Sequence, residues 1–320
     1  MSWLFFVGNR VLKLKKPVRF PFLDFSTIKA REFYCREEIR LNSRLAPGVY
    51  LGLLALQMNG DDFALIPEQH LPAPGTTVDW LVSMRRLPAQ HVLQRRIAEA
   101  RVSLSDIDAL LAVLANFYRL APQAGVTAQE YVARFQSEQA INREVLLRPQ
   151  FQLRDAAQAL GRLDAALVQH AALLGERAAR GHVVDGHGDL RPEHVWLLDP
   201  PVIIDCLEFN PALRRVDPFD EMAFLALECE MAGAPWIGPR LLAGIAAALD
   251  DLPSPALMQL YTAQLALRRA RLAMAHLLDP VPRTPQHWPP LAQRYVDRAV
   301  AALDALEQST VTASKNRGTP

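Results

Sequence analysis

The chain has 320 residues, half of them apolar and 22% charged, with a formal net charge of +1. That length suffices for a sizeable core, and the near-zero charge offers no general attraction to nucleic acid or an anionic membrane. Three cysteines (Cys35, Cys206, Cys229) without CxxC spacing, and no run near the roughly 20 apolar residues of a membrane span, exclude a disulfide framework, a structural zinc site and a spanning helix, so a soluble cytoplasmic protein is expected.

In chain order, Trp3–Val7 and Val11–Lys15 flank the turn Gly8-Asn9-Arg10 and read as a hairpin. Ser26 or Thr27 caps a helix running to about Leu45, with Phe33, Ile39, Leu41 and Leu45 as its apolar positions and Pro47-Gly48 as its stop. Tyr50–Gln57, Phe63–Ile66 and Val78–Met84 read as three strands, so residues 1–86 form a small antiparallel sheet with one covering helix. From 87 to 308 the spacing is overwhelmingly helical, near 91–101, 105–121, 127–145, 153–180, 217–232, 239–250, 254–278 and 288–307. The exception is 183–206, which reads as a strand-like interruption. Residues 309–320, polar and small, are expected to be a disordered tail.

That interruption carries the chemistry. Asp189 lies in the loop His187-Gly188-Asp189-Leu190-Arg191-Pro192-Glu193-His194, and Asp205 ends the apolar run Val202, Ile203, Ile204. Two carboxylates held on either side of a short hairpin suit work on a metal-bound phosphate: one orients a hydroxyl and takes its proton, the other grips a divalent cation. Lys13, Lys15 and Lys16 are three of only five lysines in a chain that otherwise uses arginine. Asp217-Pro218-Phe219-Asp220-Glu221 reads as a helix start, with Asp217 as N-cap and Pro218 in the first turn.

The loop HGDLRPEH resembles the catalytic loop of the protein kinase-like phosphotransferases, in particular the aminoglycoside phosphotransferase-like branch. The stretch IDCLEFNPALRRVDPFDEMAFLA resembles that branch's metal-binding aspartate and following helix. With SWLFFVGNRVLKLKKPV near the start, the pattern is similar to a bacterial subgroup whose members are sometimes fused to a P-loop kinase-like domain. No GxxxxGK[ST] occurs in this chain. The resemblance spans about residues 2–230 and implies an α+β, two-lobed protein kinase-like fold: a nucleotide-binding sheet lobe over 1–86, with the family's first strand falling before residue 1, and a helical catalytic lobe over 87–308.

It further implies ATP and Mg²⁺ as cofactors, and a small-molecule hydroxyl acceptor as partner, with no nucleic acid and no membrane. Asp189 would act as base and Asp205 as metal ligand. His194 stands where the family has a metal-coordinating Asn, with Glu193 as a substitute oxygen donor. Arg191 either neutralises the transferring phosphoryl group or lies on the surface. Lys13 is the first choice for the phosphate-gripping lysine and Lys15 the second, paired with Glu38 or Glu37. Met84, in Val82-Ser83-Met84, would meet the adenine edge at the connection between lobes. Gly8 stands where a glycine-rich loop would cover phosphates, and Glu208 is expected at an exposed turn. His187, Asp217 and Asp220 are expected to be structural support. An ATP-dependent phosphotransferase is the leading functional expectation; a nucleotide-binding pseudokinase with a regulatory or scaffold role is the alternative.

Overall fold

Gly8 adopts a left-handed conformation (φ +57°), which the tight turn requires, so β1 (Ser2–Val7) folds back on β2 (Arg10–Lys15) from Val7↔Arg10 out to Ser2↔Lys15. A short ribbon follows, β3 (Arg19–Phe20) with β4 (Leu23–Asp24), which sequence patterning did not disclose. Thr27 then caps α1 (Ile28–Asn42) by accepting from the Ala30 N–H. The strands β5 (Tyr50–Asn59), β6 (Asp62–Pro67) and β7 (Thr76–Arg85) complete an antiparallel sheet of order β1-β2-β7-β5-β6. The computed structural model describes residues 1–20 and 23–316, with side chains through 309.

The chain divides into two compact units: Met1–Ala121 with Asp185–Arg215, and Pro122–Val184 with Val216–Pro320. In the first unit α1 covers β5 and β7, and Cys35, Val49, Leu53, Ala55, Trp80 and Val82 fill the core between them. The inner face of α1 departs from expectation. Phe33 is exposed, while Arg31, Cys35, Glu38, Leu41 and Asn42 point inward at helical spacing. Charged groups take that face because partners await them: Arg31 pairs with Asp79 at 2.8 Å and Glu38 meets two lysines. The same unit holds α2 (Leu93–Ala98) and α3 (Leu104–Leu120), the latter closed by a Ser103/Asp106 capping box. After β8 (Val184–Asp185), the antiparallel pair β9 (Val195–Trp196) and β10 (Val202–Ile203) forms the hairpin expected beside the two carboxylates. The last strand is β11 (Arg215–Val216).

The second unit is helical: α4 (Ala128–Leu146), α5 (Ala156–Gln169), α6 (Ala171–Ala179), α7 (Pro218–Met231), α8 (Ile237–Leu249), α9 (Pro255–Ala275) and α10 (Trp288–Asn316). The helix expected over 153–180 is two helices, because His170 leaves the helical region (φ −107°, ψ 15°). Asp217 caps α7 through the Phe219 N–H and is fully buried with Arg177 and the Tyr261 hydroxyl (3.0 Å). Asp220 pairs with Arg134 at 2.6 Å. Both acids thus brace helices of their own unit. The segment expected as a disordered tail coincides in part with α10, which continues to Asn316; residues 317–320 lie outside the described ones. Among the described residues no helix is long and apolar enough to cross a membrane.

Candidate active site

Every residue of the candidate site belongs to the first unit. Alternation along β2 puts Lys13 and Lys15 on one face of the sheet, and α1 meets that face with Glu38. Glu38 accepts both ammonium groups, Lys13 on Oε1 at 2.8 Å and Lys15 on Oε2 at 2.7 Å. The lysines then part. Lys13 reaches on to Asp205 Oδ1 at 2.9 Å and lines a cavity of about 420 Å³. Lys15 is wholly buried, 4.9 Å from the Phe25 ring centre, and pairs with Glu208. Glu37 faces Arg40 instead. Glu208 is therefore buried rather than at an exposed turn, because Lys15 would otherwise lack a second partner.

The charges shift one another as this geometry requires. Lys13 beside Asp205 holds that carboxyl far below the usual carboxylate range. Burial works against the charge on Lys13, but Glu38 and Asp205 together outweigh it and raise its pKa well above the ordinary value. Burial also works against the charge on Glu38, and Lys13 and Lys15 outweigh it, leaving its carboxyl low.

Asn42, one turn beyond Glu38 on the same face of α1, accepts from the Cys206 N–H at 2.8 Å and donates to the Glu38 carbonyl at 2.9 Å. It thereby ties the Asp205 turn to the helix that carries Glu38. Asp205 itself sits in a left-handed conformation (φ +66°). No periodicity in the sequence marks Asn42; only its four-residue spacing from Glu38 offered a signal.

His187 is fully buried and links the two carboxylate segments. Its Nδ1 accepts from the Asp189 N–H at 3.2 Å, so Nε2 carries the proton and donates to the Ile204 carbonyl at 3.0 Å. Burial lowers its pKa to about 4, so the ring is neutral at pH 7. Gly188 (φ +88°) has no room for a side chain: a Cβ would lie 3.0 Å from the Leu213 carbonyl oxygen and 3.1 Å from Leu207 Cδ1. Asp189 Oδ2 accepts from Arg191 Nη2 at 2.8 Å, and Arg191 Nη1 reaches Glu193 at 2.6 Å. His194 Nδ1 contacts the Asp189 carbonyl at 2.8 Å, and its Nε2 lies 3.6 Å from Asp205 Oδ2.

Met84, Val11, Trp196 and Ile204 line the apolar part of the cavity. Met84 contributes only its side chain there. Val82–Met84 is strand interior, paired to β2 on one side and β5 on the other, so its backbone is spent. The connecting segment starts later. The Arg85 and Arg86 N–H groups donate to Val49 and Asn9, Pro88 has none, and among the described residues the Leu87 N–H makes no backbone bond. Gly8 does not line the cavity, whereas Met1, Ser2, Leu4 and Phe6 of the same hairpin do. One buried polar atom on the cavity wall, Trp196 Nε1, has no hydrogen-bond partner among the described residues.

No family model matches the chain. Uncharacterised proteins of Mycobacterium tuberculosis and Mycobacterium bovis are 29% identical to it over 329 residues, an alignment covering 98% of this chain and 60% of theirs. The chain thus spans about 60% of the length of these relatives. Among solved structures, a choline/ethanolamine kinase family protein from Mesorhizobium loti superposes with a TM-score of 0.51 at 13% identity, over 96% of this chain and 90% of that one. An aminoglycoside phosphotransferase of Streptomyces rimosus, solved with ADP and streptomycin, gives 0.46 at 16% identity over 82% and 87%. The small antiparallel sheet, the larger helical part and the superposition on the Mesorhizobium protein agree: the chain has the protein kinase-like fold.

Proposed function

We propose that the protein is an ATP-dependent phosphotransferase that moves the γ-phosphoryl group to a hydroxyl of a small molecule. The observation that carries this reading is the chain of contacts Glu38–Lys13–Asp205 at the edge of an apolar cavity, with the Asp189 loop held to the Asp205 segment by His187. The adenine ring packs between Val11, Met84, Trp196 and Ile204 and reads the Leu87 N–H. Lys13, kept in place by Glu38, neutralises phosphate oxygens. Asp189 orients the acceptor hydroxyl and takes its proton through Oδ1, since Oδ2 is held by Arg191. Arg191 supplies positive charge close to the transferring group.

Mg²⁺ fits these residues poorly. Among the described residues no group of three His, Cys, Asp or Glu side chains could hold a metal ion. Asp205 Oδ1 is engaged by Lys13, and the neighbouring donor is the His194 imidazole, whereas Mg²⁺ wants oxygen ligands in near-ideal octahedral geometry. His194 is also what favours the second reading, a nucleotide-binding pseudokinase.

Incubating the protein with γ-labelled ATP, a divalent cation and a panel of sugars, amino alcohols and other hydroxylated metabolites tests the proposal. Label is expected in at least one acceptor and is expected to fall by roughly 10²- to 10⁴-fold in Asp189→Asn. Nucleotide binding with no transfer to any acceptor or to water would instead support the pseudokinase.

A further inference from the structure

Helix α1 covers one face of the five-stranded sheet, and alternation along the strands assigns the residues of the other face. On β5, Leu53 and Ala55 pack in the core under α1, so Leu54, Leu56 and Met58 point away from it. The registers lead from Leu54 across the sheet to Leu81, Leu14 and Trp3, and alternation along β1 adds Phe5 and Val7. On β6 the partners of Leu56 and Met58 are Leu65 and Phe63. This outer face is largely apolar yet wet: Trp3, Phe5, Val7, Met58, Phe63 and Leu65 are each 40% to 64% exposed. Six such side chains leave on the order of 500 Å² of apolar surface to water, at the upper end of what a soluble monomer shows. That is most of the roughly 800 Å² that each partner gives to a standard interface.

The two ends of this face carry opposite charge. Arg10 and Arg85 stand directly opposite each other on β2 and β7, a like-charge pair that costs stability. At the far end of β7, Thr76 pairs with Met58, beside the turn that carries Asp61 and Asp62. β7 is ten residues long, which puts roughly 30 Å between the basic end and the acidic end. Among the described residues none of these four charged groups is in an ion pair, although most arginines of the first unit are. A surface basic at one end, acidic at the other and apolar between is complementary to itself when turned end for end. An anionic membrane would be drawn to the Arg10 end and repelled at the Asp61 end. We infer that this face binds a second copy of the chain. The two-fold axis passes near Leu81, midway along β7, so that Arg10 and Arg85 of each copy meet Asp61 and Asp62 of the other. Lys13 points to the opposite face of the sheet, so the inference is independent of the phosphotransferase reading.

Sedimentation equilibrium of the full chain, at tens of micromolar, tests this with two double variants that reverse one end each. The wild type is expected to be a dimer at low salt and to weaken as salt screens the two ends. Arg10→Glu with Arg85→Glu makes both ends acidic, Asp61→Arg with Asp62→Arg makes both basic, and each double variant alone is expected to dimerise roughly tenfold or more weakly than the wild type. Mixed one to one, they are expected to re-form a dimer, since each end of one now faces its opposite on the other. All four positions are exposed, and recovery on mixing shows that both variants are folded. The wild-type readings do not depend on any variant. A wild type that stays monomeric overturns the proposal, including one that instead sediments with vesicles of anionic phospholipid. So does a wild-type dimer indifferent to salt, a double variant that dimerises as tightly as the wild type, or a mixture of the two folded variants that stays monomeric.

Discussion

Lys13 and Lys15 share one carboxylate but do different work, and the difference is a matter of two residues along a strand. Lys13 faces the cavity, so Lys13→Met is expected to weaken binding of a non-hydrolysable ATP analogue and to cut turnover by roughly 10²- to 10³-fold, the loss typical for a preorganised charge at a reacting centre. Lys15 faces the interior. Lys15→Met leaves Glu208 buried without its partner, and the expected cost is about 3–5 kcal/mol of stability in denaturant unfolding. The reverse pattern, a destabilised Lys13→Met and a stable but non-binding Lys15→Met, would contradict the assignment. Gly188→Ala forces a side chain onto the Leu213 carbonyl in a left-handed conformation, and about 1–3 kcal/mol of destabilisation is expected, read from the shift in the urea midpoint.

The elements show where sequence periodicity suffices and where it fails. The five main strands and most of the helices from α2 to α10 follow their apolar spacing, the break at His170 and the far end of α10 excepted, and the β9–β10 hairpin was legible because Asp189 and Asp205 flank a short apolar run. α1 was legible as a helix, from Thr27 and the Pro47-Gly48 stop, but not in its orientation. Its buried face carries Arg31, Glu38 and Asn42, and a helix that turns charges inward to meet partners defeats a hydrophobic pattern. The β3–β4 ribbon is too short to show a period. The end of β7 was misplaced by the same limit: Val78–Met84 reads as a strand, yet nothing local says that pairing extends through Arg85 and moves the free backbone to Leu87. This last point has a measurable consequence. On binding a nucleotide, the Leu87 amide is expected to slow in hydrogen exchange, whereas the Arg85 and Arg86 amides, already bonded, are expected to change little. Equal slowing at all three, or none, would remove Leu87 as the base-reading group.

For the molecule as a whole, His187 couples stability to pH. The unfolded chain titrates this imidazole at its ordinary 6.5, the folded one at about 4, where burial opposes the charge. Between those values the unfolded state binds more protons, so stability is full above about pH 6.5 and falls as pH drops toward 4, by about 3 kcal/mol from this group alone. Urea midpoints of wild type and His187→Gln at pH 7 and pH 4.5 isolate the effect: the wild type is expected to lose more stability over that interval, and parallel losses would contradict the linkage. Protonation would place a hydrogen on Nδ1, the atom that accepts from the Asp189 N–H, so the same acid shift removes one of the two bonds by which this ring joins the carboxylate segments.

The decisive comparison sets binding against chemistry in one variant. Calorimetry with a non-hydrolysable ATP analogue and release of phosphate from ATP are measured on wild type and Asp189→Asn under identical cation conditions. The expected result is an unchanged dissociation constant and a turnover lowered roughly 10²- to 10⁴-fold, the range for loss of a positioned general base. Turnover that is absent in the wild type, or present and indifferent to Asp189→Asn, would contradict phosphoryl transfer at this site.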